Sequence, residues 1–269
     1  MVTRTALPSR ATEGRISKNK FQKAFQNGKA YIGFITCGDP ALATTEKAVL
    51  AAAENGADII ELNIPFSDPT AVDATIQEAN IRALEAGVTT DKIFDFVKAL
   101  RPKISIPLVF STYANVVFSY GTERFLRTCE EIGINGLIVP DLPFEEHDEF
   151  LPDCEKFGIT LISMISSTSK ARIKAIASAA EGFLYIMTCP GGTRAQLEEV
   201  VASIRKYTEL PCAVCISAED APYMMDTAAL CDGIIEDTSI MELMKKRGTA
   251  AAPYIGAYIR GRKAMLRSL

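Results

Sequence analysis

A (β/α)8 TIM barrel with extra helices is the fold class this sequence predicts, and three observations predict it. Eight short runs rich in β-branched and aliphatic residues recur along the 269 residues. Amphipathic helical stretches separate them, most of them closed by Gly or Pro. Nearly all the runs are apolar on both sides of the pleat, as strands of a parallel sheet covered on both faces must be.

In order, Lys18–Gln26 reads as an opening helix and Ala30–Thr36 as the first strand. The helical stretch Thr44–Asn55 ends at Gly56, and the strand Asp58–Asn63 follows. Thr75–Glu85 is an additional helix, and Asp91–Leu100 ends before Pro102. The strand Ile106–Ser111 leads to Thr122–Ile132, closed by Gly133, and then to the strand Gly136–Val139. A helix over Glu145–Phe157 ends at Gly158, ahead of the strand Thr160–Ile165. Lys170–Ala180 stops near Gly182, where the strand Gly182–Thr188 starts. Ala195–Tyr207 precedes Pro211, the strands Pro211–Ile216 and Gly233–Ile235 follow, and Ala252–Leu266 is a closing helix. No linker or composition break divides residues 1–269, so one barrel domain is expected, with 1–14 a flexible N-terminal extension. The competing architecture, an open doubly wound sheet, lacks a G-x-G-x-x-G after the first strand.

Composition narrows the function. Lys and Arg total 29 against 33 Asp and Glu, a net charge of −4, so neither nucleic acid nor an anionic membrane is an expected partner. The apolar runs are far shorter than the roughly 20 residues that cross a bilayer, and Met1–Ser17 has no apolar centre of a signal peptide. Seven scattered cysteines in a chain of this size point to reduced thiols and a cytoplasmic location.

A barrel gathers its chemistry at the C-terminal ends of its strands. There the sequence offers Cys37-Gly38-Asp39-Pro40, Glu61 with Pro65 to Pro69, Tyr113 and Asn115, Pro140-Asp141, Thr168, Cys189 to Gly192, Cys215 to Ser217, and Glu236-Asp237-Thr238. Five of the surrounding segments, Phe34 to Pro40, Ile60 to Pro69, Thr75 to Ala79, Thr112 to Asn115 and Val139 to Pro143, resemble the tryptophan synthase α subunit family, in family order. The resemblance runs from about Arg15 to the C-terminus, and the Glu61-Leu-Asn-Ile-Pro-Phe-Ser-Asp-Pro69 segment is its most specific part.

The resemblance implies a (β/α)8 barrel that cleaves indole-3-glycerol phosphate to indole and glyceraldehyde 3-phosphate, without metal or organic cofactor. It also implies delivery of the indole to a β subunit. Its proton-shuttling glutamate falls on Glu61, where an apolar interior raises a carboxyl pKa. The structural alternative is a buried acid satisfied by a hydroxyl such as that of Tyr185. Candidate pocket residues are Phe34, Tyr113, Asn115, Tyr185, Thr193, Arg194, Ser217, Asp237 and Thr238, with Tyr113 and Asn115 reading equally well as core.

The family pattern then breaks in three places. The second carboxylate, which accepts the indole N–H, is replaced by Val72, and Asp73 stands one position later, turned either inward as the replacement catalytic acid or out to water. The two glycine-containing phosphate turns become Val214 to Ser217 and Ile235 to Ser239, the latter carrying two acids, and Asp237 suits a cap for the helix that follows. The lid segment becomes Thr188 to Arg194, with Thr193 on the lid threonine and Arg194 either a pocket cation or a surface residue. These changes suggest a site for a ligand without phosphate or with a positive charge.

Cys37, Cys189 and Cys215 each follow a strand, and such a trio is one arrangement that binds zinc or iron–sulfur; small buried filler is the other reading. His147 sits among acids and reads as a solvated surface residue; the resemblance gives Asp141 a structural role at the β-subunit contact. Three functions follow: an α-type lyase acting on indole-3-glycerol phosphate or a related unphosphorylated substrate, a diverged barrel enzyme with another substrate, and a silent partner or regulator of a β subunit.

Overall fold

The computed structural model describes residues 15–70, 72–166, 169, 171–188, 193–217 and 223–269, with backbone only at 15–20. The extension 1–14, Thr168, Cys189 and the lid stretch 189–192 lie outside the described residues.

Nine parallel strands form one sheet: β1 (Ala30–Thr36), β2 (Ile59–Asn63), β3 (Leu108–Ser111), β4 (Gly136–Ile138), β5 (Thr160–Leu161), β6 (Ser163–Ser166), β7 (Leu184–Met187), β8 (Cys212–Ile216) and β9 (Gly233–Glu236). Their hydrogen-bonded order is β5-β4-β3-β2-β1-β9-β8-β7-β6. β5 and β6 are the two halves of one run interrupted at Ile162, whose N–H still donates to Leu137 O at 2.9 Å. One half pairs with β4 and the other with β7, so the ring closes and the expected eight strands are accounted for.

Strand alternation then divides the buried side chains into two sets. Ile32, Ile59, Val109, Ile138, Ile162, Phe183, Tyr185, Ala213 and Ile235 fill the barrel. The other set, among them Tyr31, Ile35, Ile60, Leu62, Phe110 and Leu184, packs between strands and helices. The helix Arg15–Gln26 brings Phe21 to the inner set, where its ring meets Phe183 edge-on at 5.6 Å. No Cβ stands in its way at Gly136 or Gly182, where an added methyl would lie 3.1 and 3.3 Å from the Phe21 ring.

The helical expectations hold with three differences. The stretch expected as one helix, Glu145–Phe157, is a 3-10 segment Phe144–Glu149 followed by the helix Leu151–Lys156, with Pro152 in the first turn of the latter. Proline lacks the N–H that would continue a helix from the preceding turn, so the break falls there. The helices Ala114–Tyr120 and Met224–Ala228 are short additions. The helix Thr238–Arg247 follows β9 directly and is capped by Asp237, whose side chain accepts the Thr238 N–H. No described helix is long and apolar enough to cross a membrane.

The end of the barrel bearing the candidate site is pinned by polar contacts between β1, β2 and the helix Ala74–Glu85. Asn63 Nδ2 donates to Thr36 Oγ1 and to Asn80 Oδ1, and Arg82 donates twice to the buried Asp39 carboxylate at 2.7 and 2.8 Å. A bidentate charge-assisted pair of this kind fixes orientation as well as distance. Gly38 has φ +86°, and a Cβ there would lie 2.2 Å from Val88 Cγ2, so both backbone and space require glycine.

Truncating the plug tests this packing. Phe21→Ala is expected to lower unfolding free energy by about 3–5 kcal/mol, read from urea denaturation, because the ring leaves a cavity between rigid strands.

Candidate functional site

The inward positions at the C-terminal ends of the strands define the site. Continuing inward from Ile59 by one period reaches Glu61, and the same step takes Val109 to Ser111, Ala213 to Cys215 and Ile235 to Asp237. Phe34 on β1 is in register with Glu61, which is in register with Val109 on β3.

Glu61 is 2% exposed, and its Oε2 has no hydrogen-bond partner. Burial pushes its pKa up to about 8; a hydrogen bond with Ser111 works against that rise and the Asp237 charge adds to it. A carboxyl so placed is protonated at neutral pH and can still ionise there, which suits proton exchange. The hydroxyl that meets it belongs to Ser111, not to Tyr185 as the structural alternative supposed.

Tyr185 instead hydrogen-bonds with Cys215, and the Cys215 thiol donates to Asp237 Oδ2 at 3.5 Å. Burial raises the pKa of all three groups, and the Asp237 and Glu61 carboxyls raise those of Tyr185 and Cys215 further. Asp237 is thus a second inward carboxyl beside Glu61 among the described residues.

Asp73 stands elsewhere. Its carboxylate is exposed and accepts the Thr75 N–H at 2.7 Å, capping the helix Ala74–Glu85, while Val72 packs half-buried against the core. Of the two orientations the sequence allows, the structure has the solvent-facing one. The cap explains it: an Asp at this position satisfies a helix N–H that would otherwise lack a partner.

The other expected pocket residues divide. Phe34 is buried beside Glu61, and Tyr113 is buried with its ring stacked on Phe66 at 5.1 Å. Thr238 is buried at the helix start and Ser217 half-buried at the end of β8. Asn115 is exposed on the helix Ala114–Tyr120, with Ser119 as its side-chain neighbour at 3.5 Å. Thr193 is exposed and forms a capping box with Gln196. Arg194 is a surface residue, paired with Glu198 at 3.0 Å and lying 3.5 Å from Asp226.

Of the cysteine trio, Cys37 packs outside the strands and Cys215 lies inside the barrel; Cys189 is outside the described residues. Among the described residues no three His, Cys, Asp or Glu side chains form a metal-sized group. His147 departs from expectation: it is half-buried against Phe144, with ring centroids 5.2 Å apart, and burial lowers its pKa. Asp141 accepts the Ala114 N–H at 2.9 Å and so ties the β4 end to the neighbouring helix. Sequence reasoning missed Ser111, although its period-two spacing from Val109 signals an inward hydroxyl.

A closed parallel barrel with a buried carboxyl of raised pKa at the C-terminal end of its second strand has the architecture of a (β/α)8 enzyme, whose chemistry gathers at that end. The family model for the tryptophan synthase alpha chain matches residues 21–255. The alpha chain of Lacticaseibacillus casei is 42% identical over 234 residues, covering 85% of this chain and 88% of its own. That of Geotalea uraniireducens is 37% identical over 263 residues, covering 95% and 98%. The solved alpha subunit of Legionella pneumophila superposes with a TM-score of 0.87 at 26% identity, covering 96% of this chain and all of its own. The chain belongs to the tryptophan synthase alpha chain family, a family of lyases.

Glu61 makes stability depend on pH. Its folded pKa lies above its ordinary value of 4.5, so the native state holds the proton more tightly than the unfolded chain. Its contribution is therefore complete below that ordinary value and is lost as pH rises toward about 8. Glu61→Gln is expected to flatten this decline, read as the difference in urea midpoint between wild type and variant across that range.

Proposed function

We propose that this chain performs the family's retro-aldol cleavage on an indole-3-glycerol substrate, with Glu61 as the group that gives and takes the proton. The observation that carries this reading is the buried Glu61 carboxyl with one oxygen unpartnered inside the barrel. At neutral pH the carboxyl is the acid, because burial holds its pKa near 8.

The chemistry balances around that one group. The protonated carboxyl gives its proton to C3 of the indole ring, which becomes an iminium cation with its N–H in place. The resulting carboxylate takes the proton of the glycerol hydroxyl next to the ring, a carbonyl forms, and the bond to C3 breaks. Its electrons neutralise the iminium and restore the aromatic ring, and Glu61 ends protonated as it began. Ser111 orients the carboxyl through its hydrogen bond, and Phe34 supplies an apolar wall beside it. The reading needs no metal or organic cofactor, since every proton moved belongs to the substrate or to Glu61.

Asp73 enters as a candidate N–H acceptor only by giving up its helix cap. The partner is a tryptophan synthase β-type subunit, as membership of the α family implies. A reducing cytoplasm suits the six described cysteines, all of them free.

An indole-release assay, run with and without a β subunit, tests the reading. Glu61→Gln is expected to lower kcat by about 10²–10⁴-fold, since an amide neither gives nor takes the proton. kcat/KM for wild type is expected to hold steady below pH 8 and fall above it as Glu61 ionises, in line with its raised pKa. Asp73→Asn, which keeps a capping side chain, is expected to stay within a few-fold of wild type; a loss comparable to that of Glu61→Gln would make Asp73 the second catalytic acid.

A further inference from the structure

In (β/α)8 barrels the loops after the seventh and eighth strands, with the N-terminus of the helix that follows, are the usual place for a phosphate. Here those positions fall at the end of β8 and at the start of the helix Thr238–Arg247. The helix start already holds a carboxyl of the protein's own. Asp237 caps it by accepting the Thr238 N–H, and its other oxygen accepts from the Cys215 thiol at 3.5 Å. Asp237 also shares the barrel interior with Glu61, whose Oε2 is buried and lacks a partner. The Asp237 carboxyl acts on Glu61, Tyr185 and Cys215 alike. Arg194, a cation that the sequence places near the mouth, is spent on Glu198 and Asp226 at the surface.

From these contacts we infer that the ligand end facing Asp237 carries hydroxyl or ammonium donors and no phosphate, with Asp237 standing where the anion would otherwise sit. The inference deepens the proposed function and rests on the same site. The substrate class it names is an unphosphorylated indole-bearing polyol, or an analogue that is cationic at that end. The Asp237 carboxylate and the free Glu61 oxygen then act as acceptors for its N–H or O–H groups. A phosphate brought to the same place meets a like charge and finds the Thr238 N–H already taken.

The test uses the whole chain and two probes that cannot be cleaved, because neither has a hydroxyl on the carbon next to the ring: indole-3-propanol and its phosphate ester. Calorimetric titration is expected to show wild type binding the alcohol about tenfold or more tightly than the phosphate, since one like charge within a site costs at least that much. Asp237→Asn and Asp237→Ser both retain a side chain able to cap the helix. Each is expected to improve phosphate-ester binding by about tenfold and to weaken the alcohol several-fold, because its hydroxyl loses a charged acceptor. Tighter binding of the ester by wild type, ester affinity unchanged in both variants, or no binding of either probe would overturn the inference. Indole release is read separately: a wild type that prefers the alcohol but releases no indole from indole-3-glycerol or its phosphate keeps the binding inference and loses the catalytic reading.

Discussion

The Glu61 carboxyl, held inside a closed ring of strands, is the constraint on which the site depends. Removing a carboxyl from water penalises its charged form, and here one hydrogen bond from Ser111 is too little to offset that penalty. The result is an acid that keeps its proton at neutral pH and still lies within reach of losing it. That condition follows from strand geometry. β2 must present Glu61 inward, in register with Phe34 and Val109, and a shift of one residue would turn it into the helix layer. The Asn63 and Arg82–Asp39 contacts hold that end of β1 and β2 in place.

A second carboxyl, Asp237, gives the mouth its electrostatic character. It has two tasks in one geometry, capping a ten-residue helix and accepting from Cys215. The same oxygen atoms that stabilise the helix start keep that start from attracting an anion. Fold and ligand preference are thereby coupled through one side chain: a glycine at this position would leave the Thr238 N–H open, whereas the Asp237 carboxyl accepts it.

Much of this was legible in the sequence because it depends on short periods. β-Branched runs located the strands, and the family resemblance singled out Glu61 at the end of the second. The family segments from Phe34 to Pro143 led to the relationship that the comparisons show. What was not legible depends on how distant strands line up. Tyr185, Cys215 and Asp237 lie on or just beyond three different strands, and only the register of the closed sheet brings them to one chain of contacts. Asp73 was undecided for a related reason, since a loop residue can point either way until the helix it caps is known. His147 read as solvated because its sequence neighbours are acids; its ring instead packs on Phe144, three residues back in a 3-10 segment.

The most direct test is the ionisation of Glu61 itself, measured apart from turnover. A carbon-13 NMR titration of glutamate carboxyls, compared between wild type and Glu61→Gln, is predicted to show one resonance that titrates near pH 8 and vanishes in the variant. A Glu61 resonance titrating near its ordinary value of 4.5 would mean a solvated, charged carboxylate, and the account of proton exchange inside the barrel would be contradicted.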